Sequence, residues 1–147
     1  IRPDGRKLFS RGGPWAGGRV EARAAARACA LRGSNLLGEP SALLLRTSAV
    51  RATGGFDACI PYLVDLDYWL RLMTLGPAVY EDRALASFRV SKRQWSARIG
   101  LAQGAEFAAF LDRLAKGPLR GRPLTRLVGK GMGHVQGVLR SLLYRLI

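Results

Sequence analysis

Residues 64–77 read VDLDYWLRLMTLGP. Two carboxylates, Asp65 and Asp67, head an apolar run in which Leu66, Trp69, Leu70 and Met73 recur at three- and four-residue steps, and Gly76-Pro77 closes it. That spacing predicts an amphipathic helix over residues 65–75. Asp65 suits the N-cap, where a carboxylate accepts from backbone N–H groups of the first turn, and Asp67 faces the positive end of the helix dipole. Asp67 and Arg71 stand four residues apart, acid before base, a pairing worth about 0.2–0.5 kcal/mol on a helix surface. A capped carboxylate stays ionised at neutral pH, so the same residues meet the first requirement of a proton acceptor.

Working outward, IRPDGRKLFSRGG (1–13) predicts two short extended pieces about the Asp4-Gly5 turn. RVEARAAARACAL (19–31) has helical spacing and stops at Gly33. SALLLR (41–46) suits a buried strand, and TSAVRAT (47–53) a single helical turn ended by Gly54-Gly55. AVYEDRALASFRV (78–90) suggests two more strand-like pieces; helices follow over residues 96–114 and 125–147, the last one rich in glycine. Strand-like and helical pieces alternate, which predicts an α/β class. Four or five short strands would make a thin sheet for so many apolar helices, a count that suits half a domain. The expected division is residues 1–115 as that partial domain and 116–147 as a basic helical segment.

The chain has 147 residues and a net charge of +14. Residues 1–33 carry eight Arg/Lys against two acids, residues 34–90 five against six, and residues 91–147 eleven against two, so both ends are basic and the acids collect in the middle. Basic ends predict a polyanionic partner or surface. Cys29 and Cys59 have no CxxC spacing; reduced thiols in a cytosolic protein are the expectation, a single disulfide the alternative. His134 is the sole histidine, and with no cysteine near it no metal site is predicted. GKGMG (129–133) lacks the spacing of a phosphate loop.

An ordered series runs through residues 35–90: Gly38-Glu39-Pro40-Ser41 before an apolar run ending in Arg46, Gly54-Gly55-Phe56-Asp57 after a short helix, Val64-Asp65-Leu66-Asp67 opening a helix with Trp69 and Arg71, and Leu85 to Arg89. The series resembles the C-terminal half of the catalytic domain of family 2 glycosyltransferases, inverting enzymes of GT-A fold. The resemblance implies a Rossmann-like α/β domain and a nucleotide-diphosphate-sugar donor. It further implies a glycan or polyprenol-linked acceptor, in cell-envelope polysaccharide synthesis. It places the catalytic base at Asp65 and substrate contacts at Glu39, Asp67, Arg71 and Arg89. It also implies a divalent cation, Mg or Mn, on the leaving diphosphate, with its main ligands in a donor-binding half not matched in this chain; the fragment alone is then expected to be inactive. DLD (65–67) has the spacing of a metal motif but falls on the base side, and Ser91 stands where many relatives carry a histidine.

LTRLVGKGMGHVQGVLRSLLYRLI (124–147) mixes Leu, Val and Ile with Arg and Lys, and Leu139, Leu142, Leu143 and Leu146 share a side. Such a helix either lies on an anionic membrane, which would put the protein at the inner face of the plasma membrane, or packs on its own domain. The competing reading from another class is a non-enzymatic basic module that binds nucleic acid or anionic membrane. Nucleic acid is not expected, since the motif-like middle is the least basic part and no recognised nucleic-acid motif occurs.

Overall fold

The computed structural model describes residues 1, 4–10, 12–90 and 99–146. Its first regular element, strand β1 (Gly18–Val20), is short and leads directly into helix α1 (Ala22–Arg32). Ala22, Ala25, Ala26, Cys29 and Ala30 form the buried face of α1, so the helix presents a shallow surface that other backbones can approach closely. Gly33 ends it in the left-handed region at φ 66°, where a side chain would be strained, and its N–H returns to the Ala30 carbonyl.

A 3₁₀ turn (Pro40–Ala42) and helix α2 (Thr47–Thr53) follow, then α3 (Val64–Met73), strand β2 (Ala78–Tyr80), α4 (Ala102–Leu114) and α5 (Pro123–Leu146). Strands β1 and β2 pair antiparallel, with Gly18 opposite Tyr80 and Val20 opposite Ala78. Trp15 stacks edge-on against Tyr80 at 5.3 Å between ring centroids, and the Tyr80 hydroxyl accepts from Gly13 N–H. Leu63, Leu66, Leu70 and Met73 of α3, Phe107, Phe110 and Leu111 of α4, Leu119 and the small residues of α1 make one continuous core. Of the face read in residues 64–77, Leu66, Leu70 and Met73 enter this core, while Trp69 is buried against Phe56 and Tyr68.

The expected α/β class is overturned. The described residues are mostly helical, with five α-helices and a single two-stranded antiparallel sheet, and no Rossmann-like GT-A sheet is present among them. The apolar run SALLLR is the main source of the error. Its first residues form the 3₁₀ turn, and Leu44 is wholly exposed instead of buried in a sheet. A short apolar run does not by itself distinguish a buried strand from a half-exposed connection. The second piece expected after β2 is not a strand either; Leu85 is exposed, and Phe88 and Val90 exchange backbone hydrogen bonds with Ile1. The start expected for the helix at Ser96, together with Ser91, Lys92, Arg93 and Trp95, lies outside the described residues.

Helix α5 packs across both α1 and α4, and its glycines are the reason it can. A Cβ on Gly129 would stand 2.8 Å from the Ala30 carbonyl oxygen, one on Gly133 would stand 2.9 Å from the Phe107 ring, and Gly33 of the α1 terminus meets the Met132 backbone. Arg140 pins the far end, donating to Gln103 Oε1 and Ser34 Oγ with its guanidinium over the Tyr62 ring. The segment beyond residue 115 is thus in part packed on the helices that precede it. No helix among the described residues is long and apolar enough to cross a membrane.

Candidate functional site

Asp65 sits in the first turn of α3, two residues past the N-cap instead of at it; Leu63 occupies the cap, without a side-chain hydrogen bond. Asp65 Oδ1 accepts the Leu66 N–H at 2.7 Å, and Oδ2 accepts Asn35 Nδ2 at 3.0 Å. Asn35 is buried and holds the whole turn that faces α3. Its amide also donates to Gly38 O, and its Oδ1 accepts from Leu37 and Gly38 N–H. Gly38, at φ 110°, takes a second donor on the same carbonyl from Trp69 Nε1 at 3.1 Å. One turn of α3 separates Asp65 from Trp69, so both point at the same loop.

Burial raises the Asp65 pKa above the ordinary 3.8; the Leu66 N–H and the Asn35 amide oppose the rise, and the neighbouring charge of Glu39 adds to it. Glu39 and Asp65 are therefore brought together, the first in the loop before Pro40, the second on the helix beneath it. An aspartate in this setting is oriented by a fixed amide and is more basic than a free one.

Asp67 and Arg71 form the expected pair, at 2.8 Å, but with a fixed structural partnership. Asp67 is buried, and Arg71 donates also to the carbonyls of Thr53 (3.2 Å) and Gly55 (2.9 Å) while lying over the Tyr68 ring. Arg71 thereby ties the α2–Gly54-Gly55 turn to α3, and the pair is worth more here than on an open helix surface because breaking it strands a buried carboxylate. Phe56 follows this turn and packs on Tyr68 and Trp69, at 4.7 and 6.0 Å between centroids. The result is an open groove of about 520 Å³, walled by Pro40, Leu45, Arg51, Phe56, Tyr68 and Trp69. Arg89 lies in the exposed stretch after β2.

A smaller groove of about 210 Å³ lies between Cys59, Pro61, Glu106, Phe110 and Arg113. Glu106 there accepts the Tyr62 N–H, and burial raises its pKa. The Cys59 N–H, and after it Arg113, which reaches Asp57, hold the Asp57 carboxyl down at about 2. These contacts close the α3 N-terminal loop onto α4. Cys29 and Cys59 are both free thiols; Cys29 is buried and its pKa is pushed up to about 11, so it is a packing residue and not a nucleophile.

The sequence singled out Asp65 and Glu39, which the fold brings near each other, and gave no notice of Asn35, which fixes both the Asp65 carboxylate and the loop. Its signal was the Asn in NLLG (35–38), a residue that bonds its own backbone two positions on. Phe56 is 53% exposed and forms a wall of the groove. No group of three His, Cys, Asp or Glu that could hold a metal ion occurs among the described residues. The divalent cation that the resemblance implied finds no ligand set among the described residues.

No family model matches the chain, and no solved structure matches it. A protein of Mycobacterium tuberculosis (strain CDC 1551 / Oshkosh), named only as uncharacterized protein MT1568, is 49% identical over 52 residues. That match takes in 35% of this chain and 16% of the relative, so the chain is similar to a small part of a much longer protein.

Proposed function

We propose that Asp65 is the proton-accepting carboxylate of a sugar-transferring site and that the sugar acceptor lies along the groove walled by Pro40 and Trp69, which follow Glu39 in the loop and Asp65 on α3. The observation that carries this reading is the Asn35–Asp65 contact, which aims a half-buried carboxylate with raised pKa at the Glu39 loop. The acceptor hydroxyl would attack the anomeric carbon of a nucleotide-diphosphate sugar; the new C–O bond forms as the bond to phosphate breaks, and the hydroxyl proton passes to Asp65. A hydroxyl becomes acidic only as that bond forms, so a carboxylate made more basic by burial suits the task. Sugar rings pack their apolar C–H faces on aromatic rings, and Phe56 backed by Tyr68 and Trp69 supplies such a wall. The ordered series in residues 35–90 supports the same chemistry; the reading does not rest on the parallel sheet that the described residues lack. Cys59 is an exposed free thiol, which supports a reducing, cytoplasmic location.

The test is direct. Tryptophan fluorescence and NMR are recorded while nucleotide-diphosphate sugars and oligosaccharides are titrated into the chain, and release of nucleoside diphosphate is assayed in the longest protein that contains it. Sugars should perturb Phe56, Tyr68 and Trp69, and Asp65→Asn should abolish transfer with donor binding retained. Sugar-independent spectra, or full transfer by Asp65→Asn, overturn the proposal.

A further inference from the structure

The buried side of α5 is a line of glycines, Gly129, Gly133 and Gly137, and this leaves its larger apolar residues facing outward. Leu124, Leu127, Val128, Val135, Val138, Leu139 and Leu142 are all between 42% and 69% exposed. Positions 124, 128, 131, 135, 138 and 142 follow one another at steps of four and three, so they form one straight stripe with Gly131 inside it. From residue 124 to residue 142 of this 24-residue helix the stripe runs about 27 Å at 1.5 Å per residue. A contiguous apolar strip of that length marks an interaction surface and is more than the scattered leucines of an ordinary exterior.

We propose that this face of α5 docks on an anionic lipid bilayer, lying in the plane of the interface. Charge decides the occupant. From Arg113 to the end of the chain there are eight Arg/Lys and no acid. Arg120 and Arg122 stand exposed just before the helix, and Lys130 and Arg145 follow one flank of the stripe. Lys130 also reaches Asp112 at 2.7 Å, and Arg126 lies 4.0 Å from the same carboxylate, so one acid serves two cations. A second copy of the chain would bring these cations against their own kind, with no opposite charge to set a register. An anionic bilayer instead takes the leucine and valine side chains among its acyl chains and leaves the long basic side chains at the phosphates. The helix lacks the hydropathy to cross a membrane, which fits a surface position.

The full chain is mixed with vesicles of phosphatidylcholine, with or without phosphatidylglycerol, and sedimented. Binding is expected with phosphatidylglycerol, weak binding without it, and a decline as salt rises. The double variant Val135→Glu/Leu142→Glu should bind at least about ten-fold more weakly, since two apolar contacts are replaced by charges. Both positions are about half exposed, so its melting should match the parent. A Leu127→Trp reporter should shift its emission to the blue on adding anionic vesicles. Failure to sediment with phosphatidylglycerol, equal affinity for neutral vesicles, or undiminished binding by the double variant each overturns the proposal. A concentration-dependent dimer that the double variant loses, without vesicle binding, would assign the stripe to a second copy instead.

Discussion

Asp65 is kept in its place against its own preference for water, and this gives it a signature in stability. Burial raises its folded pKa above the ordinary 3.8, so the folded state holds the proton more tightly than the unfolded chain. Stability from this group is therefore greatest below about pH 3.8, falls as pH rises through the window between 3.8 and the raised value, and is level above it. Asp57 and Asp112, whose pKa values are lowered, act in the opposite sense, adding stability above 3.8 that is lost in acid. Comparing urea melts of the parent and Asp65→Asn across this range removes those shared contributions; the parent should lose stability relative to the variant as pH rises. Asn35→Ala should push the Asp65 pKa further up, which carboxyl ¹³C titration would register, and should cost roughly 1–3 kcal/mol because the Leu37 and Gly38 N–H groups lose their acceptor. The place of Asp65 at a helix start was legible because it follows from local spacing. Asn35 lies 30 residues away in the chain, and no local pattern shows which carboxylate an amide will meet.

At the scale of elements, helices were legible wherever an apolar stripe met a stop signal. Leu66, Leu70 and Met73 are buried as their spacing required, and Gly33 ends α1 in the left-handed conformation. The stripe of α5 was harder, because the usual rule that large apolar residues face inward fails there. Leu139 and Leu142 share a side, as read from the sequence, but that side is exposed and the glycines that look like helix weaknesses are the packed face. Intrinsic propensity and packing therefore predict opposite outcomes at neighbouring glycines. Gly131 has nothing within 4 Å of a new Cβ, so Gly131→Ala should stabilise the protein by about 1 kcal/mol through helix propensity. Gly129→Ala and Gly133→Ala would press on the Ala30 carbonyl and the Phe107 ring, at 2.8 and 2.9 Å, and should cost about 1–3 kcal/mol despite the same gain. Chemical denaturation of the three variants checks the ordering. Strands were legible only in part: β2 falls in the run read as strand-like over residues 78–90, β1 was missed, and SALLLR was misread. Three-residue β1 and β2 are set by each other's backbone across the fold, while SALLLR has strand composition and no partner to pair with.

For the whole molecule, the decisive question is whether residues beyond 115 are an appendage. Sequence composition changes there, and the expected boundary followed that change. Packing argues the other way. Leu119 belongs to the core, and the glycine backbone of α5 covers Ala30, Phe107 and Leu111, whose exposures are 4%, 2% and 3%. Uncovering Phe107 and Leu111 alone forfeits roughly 3–6 kcal/mol of burial. Whole domains are stable by only about 5–15 kcal/mol, so the loss is a large share of what is available. Arg140, anchored on Gln103 and Ser34, would go with the helix and leave the nearly buried Gln103 side chain without that donor. A chain ending at residue 116 should therefore lose its cooperative thermal transition and bind a hydrophobic dye, with Phe107 and the α1 alanines exposed. A sharp melt and dispersed NMR amide signals from that shortened chain would mean that α1, α3 and α4 close a core by themselves. Helix α5 would then be an addition to that core, and its glycine seam would contribute little to the fold.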